Sequence, residues 1–238
     1  MKILAVDTSS SNCAIAIVDA QENKFNILCE KNSDDEKSHS QKLMPLISES
    51  FLDSNLYLSD IDLIACSIGP GSFTGIRIGI ATCKAFVDSK KIPATGVSSL
   101  ESLAYNVSEN GYIISLIDCK NNNVYASLYY KNENSYTKVT DFLADSIDNV
   151  LSSFKNFISS DNKSSHITFV GNASLLYNDL IISYFSSFDI AFCKENTQSA
   201  VSLAKCGYNN FLNHNIGDSS ALSPLYLRAS QAEQNLKK

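Results

Sequence analysis

Two stretches decide how this chain is read: ILAVDTSSSNCAIAI at 3–17 and ISLIDCKNNNVYASL at 114–128, which align without a gap. In each, an apolar run ends in an aspartate, Asp7 or Asp118, five small or polar residues follow, and a second apolar-rich run returns. Apolar runs of this length separated by a polar turn read as paired strands. The recurrence of strand, aspartate, turn and strand far along the chain predicts a duplicated sheet-and-helix domain. The boundary falls near Asn106–Gly111, giving a first copy at 1–107 and a second at 108–238, whose polar end, 230–238, is expected to fray.

Working outward from the first stretch, a third strand is expected near Asn26–Lys31, then a polar passage to Lys37 and a helix with Leu43, Ile47 and Phe51 on one side. Pro45 has to sit in that helix's first turns or kink it. The apolar run Ile61–Ile68 reads as a strand covered on both faces. The glycine turn Gly69-Pro70-Gly71-Ser72-Phe73-Thr74-Gly75 follows it directly and leads into a helix. That helix, 73–87, carries Phe73, Ile76, Ile80, Cys83 and Val87 on one side and Ile78, Ala81 and Ala85 roughly opposite. One face can cover a sheet; the other asks for a second helix or a partner subunit. Lys90, Lys91 and Pro93 end it, Ala94–Val97 is a short strand, and Ser98-Ser99-Leu100-Glu101 has the spacing of a capping box. The second copy continues with an apolar segment at 167–170 and helices around 173–184 and 199–213.

Composition narrows the function classes. With 238 residues, 44% apolar and 18% charged, the chain can build a real core. A net charge of −6 with no Lys/Arg cluster does not suit an autonomous nucleic-acid binder, so RNA contact would need a basic partner. The seven cysteines form no CxxC pair and lie mostly in apolar runs, as expected of reduced core thiols. No apolar run approaches the roughly 18 residues of a membrane span, and a cytoplasmic protein is expected. The histidines, His39, His166 and His214, form neither HxxxH nor HExxH, and no GxSxG elbow is present, so neither a metal site nor a serine hydrolase is expected.

Two constellations are candidates for chemistry. Gly69, Gly71 and Gly75 have the spacing GxGxxxG, one residue longer than the dinucleotide fingerprint and without the GK[ST] of a P-loop. They read either as a phosphate cradle at a helix N-terminus or as a tight strand-to-helix joint. Asp7 and Asp118 either hold a metal-nucleotide complex or cap their own polar turns. Arg77, a cation near the start of a helix, is expected to pair with a carboxylate or a phosphate.

In order along the chain, VDTSS at 6–10, HSQKLMPLI at 39–47, GPGSFTGIRIG at 69–79, GVSSLESLA at 96–104, IDCKNNNVY at 117–125 and PLYLR at 224–228 resemble the TsaB (YeaZ) family. This is the dimerisation subunit of the bacterial complex that makes threonylcarbamoyladenosine in tRNA. The resemblance implies a duplicated actin-like ATPase fold (ASKHA, ribonuclease-H-like). It implies a non-catalytic scaffold that binds and stabilises a TsaD-type catalytic subunit, with a TsaE-type ATPase as a further partner and tRNA reached through the complex. The TsaD-type subunit carries an HxxxH metal pair where this chain has Ser99 and Leu103. By the same resemblance, the helices near 40–54 and 73–88 pack on those of the catalytic subunit or of a second copy. Leu43, Ile47, Phe51, Phe73, Ile76, Arg77, Ile80 and Lys84 are the expected interface residues. No resident cofactor is expected, with weak or interfacial ATP or ADP binding at Asp7, Gly69, Gly71, Gly75 and Asp118 left open. The alternatives are an ATP-dependent enzyme working in the actin-like cleft and, less well supported, a glycoprotease-like peptidase.

Overall fold

The structure, a computed structural model, describes residues 1–21, 24–33, 39–133, 135–161 and 163–228; the tail expected to fray, 230–238, lies outside them. The chain divides into two compact units. The first is Met1–Ser102 with Gln198–Tyr226, and the second is Leu103–Thr197 with the residues from Leu227.

In the first unit, β1 (Lys2–Asp7), β2 (Cys13–Gln21) and β3 (Lys24–Ser33) form an antiparallel meander, and β4 (Leu63–Gly69) and β5 (Ala94–Ser98) add in parallel on the other side of β1. The strand order is β3-β2-β1-β4-β5. The period of two sorts the side chains. Leu4, Val6, Ile15, Ile17, Ile64 and Cys66 face a core closed by α1 (His39–Ser54) and α2 (Phe73–Lys90). Between them, Ala16, Ala5, Ala65 and Thr95 pair across four strands as a row of small residues. Over that row lies α7 (Ala200–Leu212), whose backbone comes close at Gly207: a Cβ there would stand 2.7 Å from the Ala65 Cβ.

The second unit repeats the plan. β6 (Gly111–Asp118), β7 (Asn123–Asn132) and β8 (Ser135–Lys138) are antiparallel, and β10 (His166–Val170) and β11 (Asp189–Phe192) add in parallel to β6. β9 (Leu143–Ser146) pairs with the start of β7. Read from the first strand of each unit, the order is the same, the ribonuclease-H-like sheet of the actin-like (ASKHA) fold, present twice. Its core is covered by α4 (Ile147–Asp161), α5 (Asn172–Leu176) and α6 (Asn178–Tyr184). The short α3 (Ser99–Ala104), begun by the Ser98 hydroxyl accepting the Leu100 N–H at 3.2 Å, spans the division at Ser102.

A single boundary at 107/108 is therefore corrected. The division comes at Ser102, and 198–226 returns to the first unit, because the buried side of α7 has its complement in the alanine row of the first sheet. The helix expected over 173–184 is two, meeting at Tyr177.

Candidate functional site

The glycine turn is a joint between β4 and α2, and its glycines are required by what lies against them. A Cβ on Gly71 would stand 2.1 Å from the Ser9 carbonyl oxygen, and one on Gly75 would stand 2.0 Å from the Thr8 carbonyl oxygen. Gly69 has φ +102, in the region that favours glycine, and the Gly69–Pro70 peptide is cis. The β1–β2 turn is thus pressed directly onto the start of α2 and bonded there. Ser72 N–H donates to Ser9 O at 2.7 Å, Thr8 Oγ1 donates to Gly75 O at 2.8 Å, and Ser72 Oγ caps the helix by accepting Gly75 N–H at 3.2 Å. His39 Nε2 lies 2.7 Å from Ser10 O, and Ser99 Oγ donates to Pro70 O. The close approach that the glycines permit is taken up by the chain's own backbone at Thr8 and Ser9.

This packing seals Asp7, which is 1% exposed. Its Oδ1 accepts the Ser9 N–H at 2.8 Å and the Ser9 hydroxyl at 2.6 Å. Among the described residues, its Oδ2 and the Ser67 Oγ are both buried without a partner in hydrogen-bond geometry. Burial pushes the Asp7 carboxyl above the usual carboxylate range; the Ser9 hydroxyl and N–H, the Ser67 hydroxyl and His39 oppose that rise. The neighbouring Cys13 thiol is also pushed up, to about 11, by burial and by Asp7, so it is a neutral thiol. In the second unit, Asp118 Oδ1 accepts the Lys120 N–H at 3.1 Å, its Oδ2 pairs with Lys120 Nζ at 3.2 Å, and its own N–H donates to Asn172 Oδ1 at 3.0 Å. Each aspartate thus holds the N–H two residues on, the geometry of a turn cap.

The expected interface residues separate into two groups. Leu43, Ile47, Ile76 and Ile80 are at most 5% exposed and lie in the core of the first unit, a correction with a simple cause. An apolar stripe that covers a sheet is used up by doing so, and the same stripe cannot also meet a partner. Phe51, Phe73 and Lys84 are half-buried and Arg77 is exposed. Phe73 stacks on Tyr226, with ring centroids 4.7 Å and planes 7° apart, and Arg77 Nε donates to the Tyr226 hydroxyl at 2.7 Å. Arg77 is thus tied to a phenol and its ring, a neighbour that sequence did not anticipate beside the expected anion. The outward faces of the two helices carry Met44 (46% exposed) and Leu52 (78%) on α1, and exposed Ala81 and Ala85 on α2. Of these, sequence placed Ala81 and Ala85 on the second face and passed over Met44, Leu52 and Tyr226. Tyr226 leaves no trace in local spacing, because its partners lie far back in the chain.

Among the described residues, no group of three or more His, Cys, Asp or Glu is placed to hold a metal ion. Leu103 is fully buried, and Ser99 spends its hydroxyl on Pro70. His166 pairs with Asp189 at 2.7 Å on neighbouring strands. No described helix is long and apolar enough to cross a membrane.

A family model for TsaD, tRNA N6-adenosine threonylcarbamoyltransferase, matches residues 27–236. The tRNA threonylcarbamoyladenosine biosynthesis protein TsaB of Escherichia coli K12 is 33% identical over 138 residues, 56% of this chain and 57% of that protein. TsaB of Bacillus subtilis 168 is 37% identical over 134 residues, again 56% and 57%. The chain spans about half the length of the curated relatives it matches. Among solved structures, YeaZ from Pseudomonas aeruginosa superposes with a TM-score of 0.75 at 20% identity, over 95% of this chain and 99% of that one, a likeness of fold. By its family model, the chain belongs to the TsaD threonylcarbamoyltransferase family, and the curated relatives it matches over about half their length are TsaB proteins.

Proposed function

We propose that this chain is a scaffold subunit, without a catalytic centre of its own, in the biosynthesis of threonylcarbamoyladenosine in tRNA. It binds and stabilises a TsaD-type catalytic subunit through the outward faces of α1 and α2, with a TsaE-type ATPase joining the same assembly. One observation carries the reading. The two adjacent helices bury one side in their own core and present on the other Met44, Leu52, Ala81 and Ala85, apolar groups with exposed surface. Small residues on α2 let a partner helix come close, and larger ones on α1 supply area to bury. The use of Ser99 and Leu103 in packing supports a scaffold role, since these are the positions matched to the metal pair of the TsaD-type subunit.

The test follows from the burial. Charges at Ile76 or Ile80 would be buried inside the subunit and unfold it, so they say nothing about a partner. Ala81→Glu with Ala85→Glu leaves the core intact. We expect the double variant to melt like the wild type, to bind the catalytic subunit at least about 30-fold more weakly, the loss of a contact worth about 2 kcal/mol, and to lower the modified adenosine in bulk tRNA. Unchanged co-purification together with unchanged nucleoside levels would sink the scaffold reading.

A further inference from the structure

The last residues of the first unit lie across the start of α2. Leu222 is fully buried in that unit's core, and the Leu225 N–H donates to the Ile68 carbonyl at 2.8 Å. The Leu225 carbonyl oxygen lies 3.2 Å from where a Cβ on Gly69 would stand, so the backbone here is seated against the joint itself. The aromatic side chain this strap sets at the surface is Tyr226. Tyr226 stacks on Phe73, accepts the Arg77 Nε–H, and holds the Arg77 guanidinium carbon 5.5 Å from its ring centroid, while remaining 41% exposed.

With Leu43, Ile47, Ile76 and Ile80 in the core, the expected partner-facing residues still near the surface are Phe51, Phe73, Arg77 and Lys84. Tyr226 covers one of these and ties down another. We propose that Tyr226 is an intramolecular gate on the partner surface: its side chain occupies the Phe73–Arg77 end of α2, and a partner helix that packs there displaces it. The proposal rests on the reading of α2 as partner-facing. Displacement needs a side-chain rotation and no unfolding, because Leu222 and Leu225 anchor the strap independently of the ring. Such rotations are fast, so the gate sets how tightly a partner binds and leaves the speed of encounter alone. A stacked aromatic pair and a hydrogen bond from a guanidinium are together strong enough to weaken a competing partner about tenfold.

The experiment titrates the TsaD-type catalytic subunit of the same genome into full-length wild type, Tyr226→Ala and Tyr226→Phe. We expect Tyr226→Ala to bind about tenfold tighter, and Tyr226→Phe, which keeps the stack and loses the hydrogen bond, to fall between. Equal affinities for all three overturn the gate. Weaker binding by Tyr226→Ala overturns it too, by making Tyr226 a contact of the partner. If even the wild type fails to bind, the scaffold reading falls and takes the gate with it, an outcome distinct from binding that ignores Tyr226. Amide exchange of the free chain is the second readout: Leu225 stays protected in Tyr226→Ala. Loss of that protection shows the strap leaving as a whole and overturns a gate made of one side chain.

Discussion

Asp7 and Asp118 end the first strand of two sheets with the same strand order, and each accepts the N–H two residues further on, yet their surroundings differ. Asp7 is sealed, with one oxygen left, among the described residues, without a hydrogen-bond partner; Asp118, its side chain 10% exposed, pairs with a lysine whose side chain is 86% exposed. The cause is the element that follows the equivalent strands β4 and β10. In the first unit, Gly71 and Gly75 let the β1–β2 turn sink onto the unbroken 18-residue α2. In the second, Gly171 at φ +105 allows a similar approach to the Leu116 carbonyl, but the helix there stops after five residues and Asn172 turns its side chain back to the Asp118 N–H. Strand pattern sets the topology of both units, while the joint after β4 or β10 decides whether the aspartate is sealed or reaches an ion pair with a surface lysine.

The comparison can be broken most forcibly at the joints. Gly75→Ala puts a methyl carbon 2.0 Å from the Thr8 carbonyl oxygen, and Gly171→Ala puts one 2.1 Å from the Leu116 carbonyl oxygen at a positive φ. Each should cost more than about 3 kcal/mol in denaturant unfolding, since the atoms struck are buried backbone. A mild effect at Gly171 alone would show that the second joint yields where the first cannot. At Asp7 the effect is smaller and opposite in sign. A carboxyl whose folded pKa is raised takes up a proton on folding, so its cost appears as the pH rises through that pKa. Asp7→Asn should therefore raise Tm at neutral pH by about 2–4 °C, roughly 1 kcal/mol, with the gain shrinking in acid. A lowered Tm at every pH would mean that the ionised form is stabilised. Asp118→Asn should change stability least, by under about 0.5 kcal/mol, because its ion pair is screened by water.

Much of this was legible. The two aspartate stretches disclosed the duplication, and the order of the first strands followed from period and turn. The helix at 147–161 was also within reach, since Ile147, Val150, Leu151, Phe154 and Ile158 recur at helical spacing and all are buried. β8, β9 and β11 are four residues each, too short to stand out from loop. The destination of α7 was beyond a periodicity argument, which says which side of a helix is buried and not against which sheet. The same limit explains the interface residues: Ile76 and Ile80 are apolar at helical spacing, which does not say whether they meet the core or a partner. The glycine turn left two readings open, and the atoms that meet Gly71 and Gly75, carbonyls of Thr8 and Ser9, come from a segment no local motif connects to them.

The return of α7 also bears on how the protein is made. The row Ala16, Ala5, Ala65 and Thr95 is translated before Ser102, but the helix that covers it ends at Leu212. At 5–20 residues per second, a ribosome takes roughly 5 to 20 s to pass between those points. Throughout that interval a nascent sheet shows an uncovered face, while the Leu103–Thr197 portion of the second unit emerges and can fold. The sheet made first is thus completed only by chain made after most of the second unit.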